Sequence, residues 1–363
     1  MPKPNPTRLN SQIQPSKPLV NSAMQFSVAP MLDWTDRHCR YFHRLLSRQA
    51  WLYSEMVTTG AILYGKDLER FLGHADEEAP VVLQLGGSGA DDLARCAALG
   101  EAWGYSEINL NVGCPSDRVQ NNMIGACLMG HPRLVAEGVA AMKAAVSQIP
   151  VTVKSRIGID DQEDFERLLD FASQVREAGA DGLIIHARKA WLQGLSPKEN
   201  REVPPLKYDW VRRIKQAFPD WPVAINGGIA SPQSGLRFLQ AEAELPAVDG
   251  VMLGRAVYEK PYLLTDVDRF YYDDSPEPLS REAVLDAIYP YIEHHLSSGG
   301  KLNHISRHLL GLFSGLPGGR MWRRYISENA FKPGAGIEVL QAAHKSVVQE
   351  IQRMDERMQE GNL

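Results

Sequence analysis

Eight short runs rich in valine, isoleucine and leucine recur between residues 26 and 256, and few folds accommodate such a rhythm. They are FSVAP (26–30), WLYSEMV (51–57), PVVLQLG (80–86), EINLNVG (107–113), VTVKSRI (151–157), GLIIHAR (182–188), PVAINGG (222–228) and GVMLGRA (250–256). Nearly unbroken apolar runs suit strands covered on both faces, which are usually parallel. Helical patterns follow the first run (35–48), the third (90–103), the fourth (132–148) and the fifth (164–179), the last with Gly179 as its stop. Ser231-Pro232 reads as an N-cap followed by proline at the first helical position. Eight such β units predict an α/β protein, a (β/α)8 TIM barrel. A doubly wound sheet is the rival, but no G-x-G-x-x-G follows the first run.

The alternation stops after Tyr262. We divide the chain into a flexible lead-in (1–25, with five prolines), the barrel (26–264), an acidic proline-containing connector (265–280) and a small helical domain (281–363). The connector precedes helical text broken at LPGG (316–319) and KPGAG (332–336). No run of about 18 apolar residues predicts a membrane helix, and the lead-in lacks the apolar core of a signal peptide. Cys39, Cys96, Cys114 and Cys127 form no CxxC pair, so neither a disulfide framework nor a zinc site is expected. A reducing, cytoplasmic setting fits. The net charge of −5 excludes a uniformly basic nucleic-acid binder. One segment departs from it: Lys301–Tyr325 holds five cations (Lys301, Arg307, Arg320, Arg323, Arg324) and no carboxylate. Trp322 lies among them, where a base-stacking residue is expected.

In barrels of this kind the chemistry sits where strands end. Here those positions are polar: Gln84, Asn109 and Asn111, Lys154 and Arg156, His186 and Arg188, Asn226, and Arg255. A polar ligand at the barrel mouth explains so many better than a set of separate structural hydrogen bonds. Gly227-Gly228 and Gly254-Arg255 follow the seventh and eighth strands and read as a phosphate site, with tight turns as the alternative. Lys154 either reaches solvent from a strand end or serves a bound ligand. His186 either touches that ligand or closes a core hydrogen bond. Cys114, between Gly113 and Pro115 past the fourth strand, reads as a reactive thiol facing the mouth rather than a buried apolar group. Cys127 lies in GACLMG, a packed return segment, and Cys39 and Cys96 lie in helical text.

Taken together, APMLDWTDRHCR (29–40), LQLGG (83–87), INLNVGCPSDRVQ (108–120), VTVKSRIG (151–158), IIHAR (184–188), INGGI (225–229) and VMLGRA (251–256) resemble the tRNA-dihydrouridine synthases. The likeness runs from about residue 26 to 330, and RHLLGLFSGLPGGRMWRR (307–324) points to the A subgroup. The resemblance implies an FMN-holding barrel, NADPH as electron donor, and reduction of the C5–C6 double bond of D-loop uridines 20 and 20a of tRNA. Hydride would come from flavin N5 to uracil C6, and Cys114 would be the general acid at C5. It implies FMN contacts from Pro30, Met31, Leu32, Gln84, Lys154 and His186, with Asn226, Gly227, Gly228, Gly254 and Arg255 around the phosphate. It implies tRNA contacts from Asn111, Lys198, Arg201, Arg320 and Arg323. The alternative is an FMN barrel acting on a small pyrimidine-like substrate, as a dihydroorotate dehydrogenase does.

Overall fold

The computed structural model describes residues 25–116, 123–274 and 277–360, so the lead-in expected over 1–25 lies almost wholly outside the described residues. Eight strands form a closed barrel in chain order: β1 (Phe26–Val28), β2 (Trp51–Thr58), β3 (Val81–Gly86), β4 (Glu107–Val112), β5 (Val151–Arg156), β6 (Gly182–His186), β7 (Val223–Asn226) and β8 (Gly250–Leu253). Every neighbouring pair is parallel, and Ser27 opposite Met252 closes the ring. Six of the predicted strands run one to three residues past the observed ends, because the loop starts are as apolar or glycine-rich as the strands themselves; the third ends at Gly86 as read, and the second goes on one residue further, to Thr58.

The helices are α1 (Arg37–Leu46), α2 (Thr59–Tyr64), α3 (Leu68–Leu72), α4 (Ala90–Ala102), α5 (Pro132–Ala145), α6 (Phe165–Glu177), α7 (Tyr208–Ala217), α8 (Pro232–Gly235), α9 (Arg255–Glu259) and α10 (Val267–Tyr272). After them come α11 (Arg281–Ser297), α12 (Leu302–Leu309), α13 (Gly319–Asn329) and α14 (Ile337–Glu360). None among the described residues is long and apolar enough to cross a membrane.

Strand side chains alternate between two environments. Leu83, Leu85, Ile108, Leu110, Val153, Leu183, Ile185, Ile225 and Val251 face outward into the large apolar core beneath the helices. The barrel interior holds only a small apolar cluster of Ala29, Tyr53, Val82, Ile184, Ala224 and Met252. The rest of the interior is polar, and β2 carries a register shift between Tyr53 and Met56. A bulge of this kind re-aims side chains. Here Ser54 Oγ takes the Gln84 N–H at 3.0 Å and Glu55 takes the Asp33 N–H at 2.5 Å.

Two expectations for the C-terminal third are corrected. The stretch 265–280 is not simply a connector, because residues 267–272 form α10 and are packed in place. Asp268 accepts from Ser47 Oγ and from the Arg48 and Gln49 N–H groups, and Tyr271 OH donates to Pro232 O at 2.7 Å. An acidic residue that caps a neighbouring turn looks like a solvated linker when read in one dimension. Trp322 is fully buried rather than free to stack on a base: its indole N–H donates to Leu309 O at 3.0 Å and its ring lies 4.8 Å from that of Phe313.

The C-terminal helices grip α1. The N-cap of α1, Asp36, takes the Cys39 N–H at 2.9 Å, pairs with Arg307, and lies 3.0 Å from His308 on α12. Tyr41 stacks on Tyr291 of α11 with centroids 3.9 Å apart, and His38 Nδ1 lies 2.7 Å from the Tyr291 hydroxyl. Burial pushes His38 down to about 4, helped by His295 and His308 and opposed by Asp36. Burial pushes His43 down to about 3, with His308 and Arg44 adding to the effect. An unfolded chain protonates these imidazoles near pH 6.5. Between that pH and 4 the unfolded state holds more protons, so acid favours it. Stability is therefore fully present above about pH 6.5 and is lost as pH falls toward 4. Thermal melts over that range are expected to show a midpoint that drops by several degrees, and a flat profile would contradict neutral burial of the two histidines.

Candidate active site

The mouth is assembled by register. Gln84 pairs with Asn109, Asn111 with Lys154, Arg156 with His186, His186 with Asn226, and Asn226 with Met252. Strands β3 to β7 thus deliver polar groups to the same end of the barrel. The loop after β4 carries Cys114, which is half-buried. Its backbone is held on both sides: the Cys114 N–H donates to Asn111 Oδ1 at 3.0 Å, and the Ala126 N–H donates to Cys114 O at 2.8 Å. The return segment is a 3-10 turn over Gly125–Gly130, as GACLMG suggested. Gly125 sits at φ 84°, and a Cβ there would stand 2.4 Å from Cys114 O, so glycine is what lets the two segments meet. Cys127 donates to Ile124 O at 3.4 Å and burial pushes its thiol up, whereas Cys39 and Cys96 are buried in helices.

Beside Cys114 lies a concentration of positive charge. Lys154, Arg156 and Arg201 are all within electrostatic reach of the thiol. Burial, with the charge of Arg156 adding to it, lowers Lys154 to about 7. Among the described residues no carboxylate pairs with Lys154. Arg156 spends its guanidinium on backbone, with bonds of 2.9 Å to the carbonyls of Gly113, Lys189 and Asn200, and so ties the loops after β4 and β6 together. Burial holds His186 well below its usual value, and Arg156, Lys154, Arg188 and Arg201 add to the shift. The imidazole is therefore neutral at pH 7, and among the described residues neither its buried Nδ1 nor Nε of Arg188 has a partner. Gly227 (φ 112°) and Gly228 (φ 68°) form two successive left-handed positions, with Gly227 O taking the Tyr208 hydroxyl at 2.7 Å. Arg255 lies beyond β8 and pairs with Glu202 at 2.5 Å.

Orphaned donors, unneutralised cations and a glycine turn are what a phosphate-bearing ring cofactor requires. The residues present therefore fit FMN. Asn111 is only 8 % exposed and is spent inside the protein: its oxygen takes the N–H groups of Gly113 and Cys114, and its amide donates to Gln84 at 2.7 Å. It thereby shapes the thiol loop. Ser231 caps α8 as read, but that helix is a single turn, so its dipole adds little at the phosphate turn. Pro30 and Met31 are partly buried, Leu32 is 59 % exposed, and Asn226 donates to Met252 O at 2.7 Å. Gly254 lies where an added Cβ would only touch Ala29 and Met31.

The four cations assigned to tRNA fall in two places. Lys198 and Arg201 flank a 3-10 turn on the loop after β6, and Arg320 and Arg323 lie one turn apart on α13; all four are exposed. No group of three or more His, Cys, Asp or Glu among the described residues is placed to hold a metal ion.

A parallel barrel with a pinned cysteine at the carboxyl ends of its strands defines a (β/α)8-barrel enzyme. The chain belongs to the dihydrouridine synthase family, whose model matches residues 27–348. It is 57 % identical over 339 residues to the tRNA-dihydrouridine(20/20a) synthase of Shewanella oneidensis, covering 93 % of this chain and 98 % of that one. The protein of the same name from Escherichia coli K12 is 58 % identical over 334 residues, 92 % of this chain and 94 % of that one. A 2-naphthoyl-CoA reductase complex shares the fold alone, with a TM-score of 0.52 at 13 % identity. That match covers 67 % of this chain and 49 % of the reductase, so about half of the longer chain.

Proposed function

We propose that this chain reduces the C5–C6 double bond of uridines 20 and 20a of tRNA to 5,6-dihydrouridine, with FMN as its cofactor and NADPH as electron donor. The observation that carries the reading is the pinned Cys114 loop set against an unneutralised cationic mouth. FMN bound there supplies the hydride for uracil C6. The chain's own residues do the rest. Lys154, the neutral His186 and Gln84 would serve the ring system of the cofactor, and Asn226, Gly227, Gly228, Gly254 and Arg255 would hold its phosphate. Cys114 gives its proton to C5 of the uracil, which becomes basic as C6 gains hydride. The uridine leaves its stack to reach this depth, and the mouth reads the flipped base. The direct test is purified protein with NADPH and unmodified tRNA, followed by mapping of dihydrouridine: product at 20 and 20a supports the reading, and reduction of free pyrimidines alone favours the small-substrate alternative.

Residues 281–360 form the helical part that grips tRNA. Lys198 with Arg201 and Arg320 with Arg323 give two separated phosphate contacts, and such contacts set position rather than read bases. The double variant Arg320→Ala/Arg323→Ala is expected to weaken tRNA binding and to flatten its salt dependence by about two phosphate contacts, while NADPH oxidation stays as it was. Unchanged affinity and an unchanged salt slope would reduce that face to a solvated surface.

A further inference from the structure

The inner face of β4 carries Glu107, Asn109 and Asn111 in alternation, and all three are buried. They belong to one line of hydrogen bonds that crosses three strands and ends at Cys114. From the top, the Cys114 N–H donates to Asn111 Oδ1 at 3.0 Å. Asn111 Nδ2 donates to Gln84 Oε1 at 2.7 Å, and Gln84 Nε2 donates to Asn109 Oδ1 at 2.7 Å. Asn109 Nδ2 donates to Thr152 Oγ1 at 2.8 Å, and the Thr152 hydroxyl donates to Glu107 Oε1. Tyr53 OH also donates to Glu107 Oε1, at 3.1 Å.

Every link donates in the same direction, toward Glu107. A hydroxyl has one hydrogen and an amide has one donor end and one acceptor end, so each link fixes the orientation of the next. Glu107 Oε1 accepts in either protonation state of the carboxyl. Thr152 must then spend its hydrogen below and accept from Asn109 above. Asn109 must show its oxygen to Gln84, and Gln84 its oxygen to Asn111. Asn111 is left with its oxygen toward the Gly113 and Cys114 N–H groups. An Asn111 amide turned the other way would set N–H against N–H and release the loop. In this low-dielectric interior such links also strengthen one another.

We infer that Glu107 is a positioning residue for the reaction: through Thr152, Asn109 and Gln84 it fixes the orientation of Asn111, and thereby the place of the Cys114 loop. The inference rests on Cys114 being the proton donor.

The test uses the flavin-loaded enzyme and the pair Thr152→Val and Thr152→Ser. Valine cuts the line and serine keeps it. For Thr152→Val the expected result is retained flavin and NADPH oxidation, an unchanged KM for tRNA, and a kcat for uridine reduction lowered by about 10- to 100-fold, the scale of a 1 Å misplacement of a reacting group. Alkylation of Cys114 by iodoacetamide, read by mass spectrometry at that cysteine in the flavin-free protein, is expected to change rate several-fold. Thr152→Ser is expected to restore both. If Thr152→Val does not fold, Glu107→Met removes the terminal acceptor while taking a carboxyl out of the interior, and it is expected to show the same kcat loss. Wild-type kcat and wild-type Cys114 alkylation in a folded variant of either kind would overturn the inference. Cys114→Ala separates the two levels: if it reduces tRNA normally, the proton-donor reading itself falls. If it is inactive while Thr152→Val behaves as wild type, only the role of Glu107 falls.

Discussion

Cys114→Ala is expected to bind flavin and oxidise NADPH at the wild-type rate while uridine reduction falls by about 10²- to 10⁴-fold, the usual contribution of a general acid. The split follows from where the side chain sits. The loop around Cys114 is held by backbone bonds to Asn111 and Ala126, neither of which uses the thiol. Removing the sulfur therefore leaves the loop in place. The phosphate turn at Gly227-Gly228 and the cations Lys154 and Arg255 belong to other strands, so flavin binding loses nothing. Stopped-flow bleaching of the flavin by NADPH, followed by reoxidation with tRNA, reads the two halves separately. Normal reoxidation by tRNA would remove Cys114 from the reaction and leave Cys127, 13 residues on, as the thiol to examine.

Lys154 and Arg255 are expected to fail in different ways. Arg255→Ala should retain flavin about 10- to 100-fold less tightly, matching the roughly 1.5–3 kcal/mol of a hydrogen bond to a charged group. It also removes the ion-pair partner of Glu202. Lys154→Ala should keep its flavin and bleach slowly, because the missing ammonium is the charge beside the ring. Burial lowers this amine to about 7 before any ligand is present, and an anion beside it raises the value. The ammonium is lost as pH rises above its pKa, so wild-type bleaching should slow on the alkaline side of about pH 7. Lys154→Ala should lack that limb. Colourless Lys154→Ala with fully loaded Arg255→Ala would exchange the two roles.

The strands were legible because a parallel barrel buries both faces of each strand, so Val81–Gly86 and its counterparts read as unbroken apolar text. Lys154, Gln84 and His186 stood out for the same reason, as polar letters in apolar words. What the chain concealed depends on register or on helical phase. Trp322 lies among arginines in sequence, yet Gly319, Trp322, Ile326 and Ala330 fall on one helical face and are all buried. That spacing was the available signal. Asn111 also takes the N–H groups two and three residues on, as an asparagine before a turn commonly does, and that bond has no separate mark in the sequence. The partners of Glu107 come from β2 and β5, and only the closed sheet brings Tyr53 and Thr152 to it. No local pattern encodes that meeting.

The contrast between the two faces of the barrel wall has a consequence for how such sequences can vary. Outside, Leu, Ile and Val meet helices through dispersion alone, and one can replace another with modest repacking. Inside, each amide has one permitted orientation between its partners, so one exchange strands a neighbour without a donor or an acceptor. Effects of paired changes along that line will not add. Across related chains the outer positions are therefore expected to drift one at a time, and positions 84, 109, 111 and 152 to change together or not at all.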